Sequence, residues 1–291
     1  MRVFAIPHYY GHPPARIATR HGAHRDRADE RAAKLSRLIN GLHGLFGPSQ
    51  CVMQLAQRRT DAANESLRDQ LRIFVVTDGE HHLLDRLQVP ASSFVSVRSA
   101  GEPQHLGFAA HRALADQVDE AEWFCYLEDD LLLHDATWFW KLDDFLQTAG
   151  DDAVLMPQRY ETASGAAARK AYVDGELRRE STAAFQDVSD RPKIDLPAFG
   201  REVPLHRTAN PHSGSFFLRG DQMRRWVQSV DFGRPTQAWI GPLESAATLG
   251  VMRNFRVYKP ARTHAGFFEI EHQSQQFIGQ LRRPDEDPAS T

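Results

Sequence analysis

The chain has only two cysteines in 291 residues, Cys51 and Cys125. That is too few for a disulfide framework, and both lie in apolar β-like runs. The reading is two buried free thiols in a reducing compartment. No run approaches the roughly 20 apolar residues of a membrane span. The opening "MRVFAIPHYY" turns polar too soon for a signal peptide. A cytoplasmic location is therefore expected, with peripheral contact to a membrane surface left open. The formal net charge of -3 gives no excess of either sign, so no nucleic-acid partner is implied. There is no GxGxxG and no P-loop, which argues against a dinucleotide oxidoreductase or an ATPase. Internal repeats and low-complexity blocks are also lacking.

What is present is a chain 41% apolar and 25% charged, enough to bury a sizeable core. Strand-like and helix-like runs alternate up to about residue 158. "RVFAI" reads as a strand. Ala28, Ala32, Leu35, Ile39, Leu42 and Phe46 mark an amphipathic helix. "CVMQLA" is a possible strand, and "TDAANESLRDQL" has weak helical spacing. "RIFVVTDG" and "FVSVRS" are strands, Leu106 to Val118 a helix, and "EWFCYLEDD" a strand. A helix carrying Trp138, Leu142, Phe145 and Ala149 follows, with Asp135 placed to cap it, and then the strand "AVLMPQRY". Such alternation predicts an α/β fold with a mostly parallel central sheet flanked by helices.

From Tyr160 to Pro211 the pattern fails, apart from a hairpin expected at Asp174-Gly175. A stretch this long without elements suits a lid or a recognition segment. Order returns with "GSFFLRGDQMRRWVQSV", a strand and a helix capped by Asp221. "GPLESAATLG" is a helix with Pro242 in its first turn, and "RVYKPARTH" is strand-like. The expected organisation is an alternating strand–helix half, residues 1–158, and a second half of the same domain, 159–282. A disordered tail, 283–291, completes it.

The chemistry concentrates in "WFCYLEDDLLLHD". An apolar strand ends in Glu128, Asp129 and Asp130, and adjacent carboxylates repel unless a positive charge sits among them. Strand alternation puts Glu128 and Asp130 on one side and Asp129 on the other. Ligands in open α/β sheets bind beyond the carboxyl ends of parallel strands. Two carboxylates there can hold a hard divalent cation, Mn²⁺ or Mg²⁺. The bland reading is that these acids precede a helix or face solvent.

The succession "RIFVVTDG", "FVSVRS", "HRALADQVDEAEWFCYLEDD" resembles the nucleotide-binding half of GT-A glycosyltransferases, especially family 2-like members. The resemblance covers roughly residues 1 to 160. It implies a DXD-type motif reading "EDD", with Glu128 and Asp129 near the sugar or ribose and Asp130 binding the metal. It places Asp78 at the nucleobase or ribose, and the loop Pro7, Tyr9, Tyr10 around the nucleotide. In the second half it makes Glu244 the base facing an acceptor hydroxyl and His264 a further metal ligand, with His272 the competing choice. Residues His212 to Phe217 would line the acceptor pocket and Trp239 would offer a sugar platform. Each has a plainer reading as a helix-start acid, a structural histidine or core. The implied function is metal-dependent transfer of a sugar from a nucleotide-sugar donor to a carbohydrate acceptor, with inversion by direct displacement, since Glu244 offers a base. The alternatives are a nucleotidyltransferase, with Arg16 as its basic loop residue, or a catalytically silent carbohydrate- or partner-binding protein. The histidine clusters "HYYGH" and "HGAH" invite zinc but lack a cysteine partner or helical spacing.

Overall fold

The computed structural model describes residues 1–11, 27–165 and 167–281. Strand β1 (Arg2–Pro7) is buried at every position. Helix α1 (Ala28–Phe46) follows, then a hairpin of β2 (Cys51–Gln54) and β3 (Arg59–Ala62). Next come β4 (Leu71–Thr77), β5 (Val95–Arg98), α2 (Leu106–Ala115), β6 (Trp123–Leu127) and the short β7 (Leu131–Leu132). Helix α3 (Trp138–Ala149), β8 (Ala153–Leu155) and β9 (Gln158–Thr162) end the alternating half. The remainder holds β10 (Lys170–Tyr172), β11 (Lys193–Ala198), β12 (Arg201–Arg207), β13 (Ser215–Arg219) and α4 (Gly220–Val227). It closes with α5 (Pro242–Glu244), α6 (Gly250–Asn254), β14 (Arg256–Pro260) and β15 (Glu269–His272).

The central sheet runs β13-β6-β1-β4-β5. The pairs β6–β1, β1–β4 and β4–β5 are parallel, and β13 is antiparallel to β6. The alternating side chains of these strands build two cores. Phe4, Ile6, Val75, Cys125 and Phe217 face α1 and α3. Val3, Ala5, Val76, Tyr126 and Phe216 face α2, α4 and α6. Helices on both faces explain why the strands read as continuous apolar runs. Two further four-stranded sheets, β10-β9-β15-β7 and β11-β12-β14-β8, pack alongside. The first core also takes in Leu205, Tyr258 and Phe268, so both halves share it. Among the described residues no helix is long and apolar enough to cross a membrane.

The structure corrects several expectations. Cys125 is buried, but Cys51 is exposed on the β2–β3 hairpin, which forms a separate two-stranded sheet outside the central one. "TDAANESLRDQL" forms no helix; Thr60 to Ala62 pair in β3 instead. "AVLMPQRY" is two strands in two sheets, divided at Met156 and Pro157, where proline has no N–H for a ladder. The expected turn at Asp174-Gly175 is not a hairpin; β10 pairs back on β9, with Tyr172 opposite Tyr160. The patternless segment 160–210 contains a regular hairpin, β11–β12. Its turn residues Phe199 and Gly200 both adopt positive φ, +52° and +72°, which fits the strand twist. Asp135 accepts from the Thr137 N–H and hydroxyl rather than capping α3 itself. Asp221 pairs with Arg224 while Arg219 holds the cap position. The helix at Pro242 is present, and widens into a π turn at Ser245–Leu249 before α6.

Trp138 is fully buried, 3.9 Å from the Phe268 ring and 5.0 Å from that of Phe217, centroid to centroid. It joins the central sheet to the segment before β15. Trp138→Ala is expected to cost about 3–5 kcal/mol, measured by urea unfolding. A loss below about 1 kcal/mol would show that the two halves do not depend on this contact.

Candidate functional site

In the central sheet β1 is followed in the chain by β4 on one side, whereas β6 lies on the other. The order of winding therefore switches between β1 and β6, where open α/β sheets bind ligands beyond the strand ends. His8 follows β1 there, Asp78 follows β4, and Glu128 to Asp130 follow β6. All three acids after β6 are buried. The strand ends at Leu127 and the chain turns through Asp129 and Asp130 into β7. Alternation therefore stops before the cluster, and the expected separation of Asp129 from Asp130 does not occur.

Arg31, in the first turns of α1, bridges the pair. One guanidinium nitrogen donates to Asp129 and the other to Asp130 Oδ2 at 2.9 Å. The backbone N–H of Leu83 donates to His8 Nε2 at 3.1 Å, which leaves His8 Nδ1 to donate to Asp129 Oδ2 at 2.5 Å. His272 Nε2 lies 3.5 Å from Asp130 Oδ2, and its Nδ1 lies 2.8 Å from Glu161 Oε1. The other Glu161 oxygen accepts the N–H groups of Phe277 and Ile278 at 2.9 and 2.8 Å. Glu128 Oε2 is 3.9 Å from Arg159, which in turn donates to Asp174 at 2.8 Å. Lys259 reaches Asp174 at 3.3 Å and also donates to the His212 carbonyl. Asp129, Asp130, Glu161 and Asp174 are thus opposed by Arg31, His272, Arg159 and Lys259 in one buried network.

Glu128 is the exception to this balance. Burial pushes its carboxyl up to about 8, against the pull of Arg159 and with help from Asp130 and Glu244. Its Oε1 is buried and has no hydrogen-bond partner among the described residues. Burial would also raise Asp130, but the His272 and Arg31 charges hold it well below the usual carboxylate range. Burial alone would lower His272, yet Asp130 and Glu161 raise it to about 9. Asp174 sits at about 2 because Lys259 and Arg159 outweigh its burial. Burial, with Arg159 nearby, lowers His212 to about 3.

Other anticipated residues fall around this network. Pro7 ends β1. Tyr9 is half-buried with its ring 5.5 Å from His81, and the Tyr10 N–H donates to the His81 carbonyl. Asp78 accepts the N–H groups of Glu80 and His81 and pairs with the His81 ring at 2.8 Å. Burial and the Asp78 charge raise the Tyr9 hydroxyl, and both residues meet the His81 ring. Glu244 lies in the first turn of its helix with Oε2 buried and without a partner among the described residues, and its charge raises both Glu128 and Tyr126. His264, expected as a ligand beside Asp130, is instead exposed and 3.0 Å from the Thr263 hydroxyl; His272 occupies that place. Trp239 is buried against the His212 ring, and Phe216 and Phe217 are core, so none offers an open platform. Arg16, His12 and the "HGAH" cluster lie outside the described residues.

Sequence reasoning missed His8, Arg31, Arg159, Asp174 and Lys259. Arg31 carried a signal: it lies one turn before Leu35 on the apolar stripe of α1. The others are joined only by folding.

Among the described residues no group of three or more His, Cys, Asp or Glu side chains is arranged to hold a metal ion. Asp130 Oδ2 already meets Arg31 and His272, and Glu128 Oε2 faces Arg159. Protein cations stand where the divalent ion was expected, so the residues as arranged do not fit one.

No protein-family model matches the chain, and no curated protein matches it either.

The network sets a pH window for stability. Asp130, Asp174 and His212 have lowered values in the folded state. Each contributes stability above its ordinary value that is lost as pH falls through the folded one. Glu128 and His272 have raised values, and their contribution is lost as pH rises through about 8 and about 9. Burial likewise lowers His111 to about 4, so the two lowered histidines outweigh Glu128 up to the ordinary histidine value, and the melting temperature should be highest at about pH 6–6.5 and fall on both sides. A flat profile from pH 6 to 9 would contradict the assignments of Glu128 and His272. Asp130→Asn should cost about 3 kcal/mol or more in urea, because it leaves buried cations uncompensated.

Proposed function

We propose that the chain is a GT-A-like glycosyltransferase that moves a sugar from a nucleoside-diphosphate donor to an acceptor hydroxyl. The winding switch between β1 and β6 supports a nucleotide crevice at that edge. Tyr9 and Asp78, which follow β1 and β4 and both meet the His81 ring, suit a base or ribose.

The observation that carries the reading is the Glu244 carboxylate. It lies in the first turn of a helix, keeps one buried oxygen without a partner among the described residues and acts electrostatically on Glu128 and Tyr126. As a base it would take the acceptor proton while the acceptor oxygen attacks the sugar carbon. The bond from that carbon to the diphosphate oxygen breaks, and the electron pair leaves on the diphosphate. One such displacement inverts the sugar carbon. Glu128, protonated up to about pH 8, can donate a hydrogen bond to a substrate oxygen at neutral pH. Mn²⁺ or Mg²⁺ belongs to this reading through the family resemblance. To reach Asp130, an ion would have to displace Arg31 or His272.

Nucleotide sugars screened by thermal shift, with and without Mn²⁺, should include one that raises the melting temperature as its concentration grows. With that donor, Glu244→Gln should lower turnover by roughly 10²–10⁴-fold while leaving the thermal shift in place. A shift without donor hydrolysis or transfer by the unaltered protein would favour a silent binding protein. No shift with any nucleotide sugar would overturn the proposal.

A further inference from the structure

The β2–β3 hairpin takes no part in the crevice. It begins just past the carboxyl end of α1, whereas Arg31 near the other end of that helix reaches Asp130. At 1.5 Å per residue the two ends lie roughly 20 Å apart. The base of the hairpin is clamped. The Gln50 side-chain amide donates to the carbonyls of Leu45 and Gly47 at 3.3 and 3.0 Å, the Ala63 N–H donates to the Gln50 carbonyl at 3.0 Å, and the Asn64 amide donates to Gln50 Oε1 at 2.8 Å. Beyond this clamp every residue of both strands is exposed except Gln54, which is half-buried.

The first strand and the tip of the arm expose apolar groups. Val52, Met53 and Leu55 are 53%, 67% and 77% exposed, three large apolar side chains within four residues. An exposed two-stranded hairpin gains little stability by itself, and a clustered exposed apolar tip marks a contact surface. Arg58 and Arg59 follow at the turn, both exposed, with Arg58 in the left-handed region at φ +51° and Arg59 3.7 Å from the exposed Asp61 carboxylate, a solvent-screened pair that leaves the turn with one excess positive charge. An apolar tip bordered by guanidinium groups fits a surface that is apolar below and anionic at its rim. A two-fold copy of the chain fits less well, because it would bring both pairs of arginines together.

We propose that the β2–β3 hairpin is a membrane-surface anchor. Val52, Met53 and Leu55 enter the boundary between headgroups and acyl chains, and Arg58 and Arg59 meet the phosphates of an anionic bilayer. The contact is peripheral, and it leaves the carboxyl edge of the central sheet facing away from the lipid. It is independent of what that edge catalyses.

The hairpin carries its own reporter. Cys51 is exposed, whereas Cys125 is fully buried and burial raises its thiol. A polarity-sensitive thiol dye should therefore label Cys51 in the full chain. Its emission should shift to the blue with vesicles of phosphatidylserine and phosphatidylcholine, and much less with phosphatidylcholine alone. Unlabelled protein should sediment with the mixed vesicles and be released by salt. The double variants M53E/L55E and R58E/R59E should each weaken sedimentation roughly tenfold or more, with melting temperatures unchanged. The proposal is overturned if the protein sediments with neither vesicle, or if both variants sediment like the parent. Equal binding to neutral vesicles would overturn the role of the arginines. A lipid-free blue shift that grows with protein concentration, together with a dimer mass by light scattering, would assign the tip to a second copy instead.

Discussion

One guanidinium holds the site together. Arg31 lies between Asp129 and Asp130, two carboxylates on consecutive residues at the buried end of β6. A positive charge there offsets the cost of burying two adjacent carboxylates beside the apolar strand that precedes them. The Arg31 bridge also fixes where α1 begins relative to the central sheet. The remaining contacts of the cluster are built outward from it. His8 steadies Asp129 from β1, and His272 steadies Asp130 from β15.

The network draws its charges from across the chain. Arg159 comes from β9, Asp174 follows β10, Lys259 comes from β14 and Glu161 backs His272. Buried ion pairs seldom add net stability over apolar packing, but losing one partner is costly. Such a network therefore acts mainly to fix geometry at the carboxyl edge of the sheet. Glu128 is paired only loosely. It lies 3.9 Å from Arg159, and burial, with the charges of Asp130 and Glu244, raises its carboxyl to about 8. A carboxyl so raised, with the Glu244 charge acting on it, gives this edge both a hydrogen-bond donor and an acceptor at neutral pH. The catalytic proposal rests on that asymmetry.

Much of the fold was legible because local pattern and final environment agree. The buried strands β1, β4 and β6 are apolar runs, and α1 spans the residues that its spacing marks. The failures have separate causes. "CVMQLA" has the composition of a buried strand but stands in solvent, with Cys51, Val52 and Met53 all exposed. The β11–β12 hairpin turns on Phe199-Gly200, and phenylalanine gives no hint of a positive φ. Asp174 looked like half of a turn and is a buried ion-pair partner, since Arg159 and Lys259 arrive from distant strands. At the site, the sequence exposed the acidic cluster and the need for a positive charge, but not the source of that charge. His264 and His272 are equally plausible by order in the chain. Only pairing of β15 with β7 brings His272 next to Asp130.

The two ends of the molecule have different chemistry. Charged groups are buried at the carboxyl edge of the sheet, and apolar groups are exposed at the tip of the β2–β3 hairpin. The central claim is that the chain itself supplies the charge that neutralises its acidic cluster. A double-mutant cycle of Arg31→Gln and Asp130→Asn, followed by urea unfolding, tests it most directly. The account predicts a coupling of about 1.5–3 kcal/mol, as expected for a buried charged hydrogen bond. Additive losses within about 0.3 kcal/mol would contradict it.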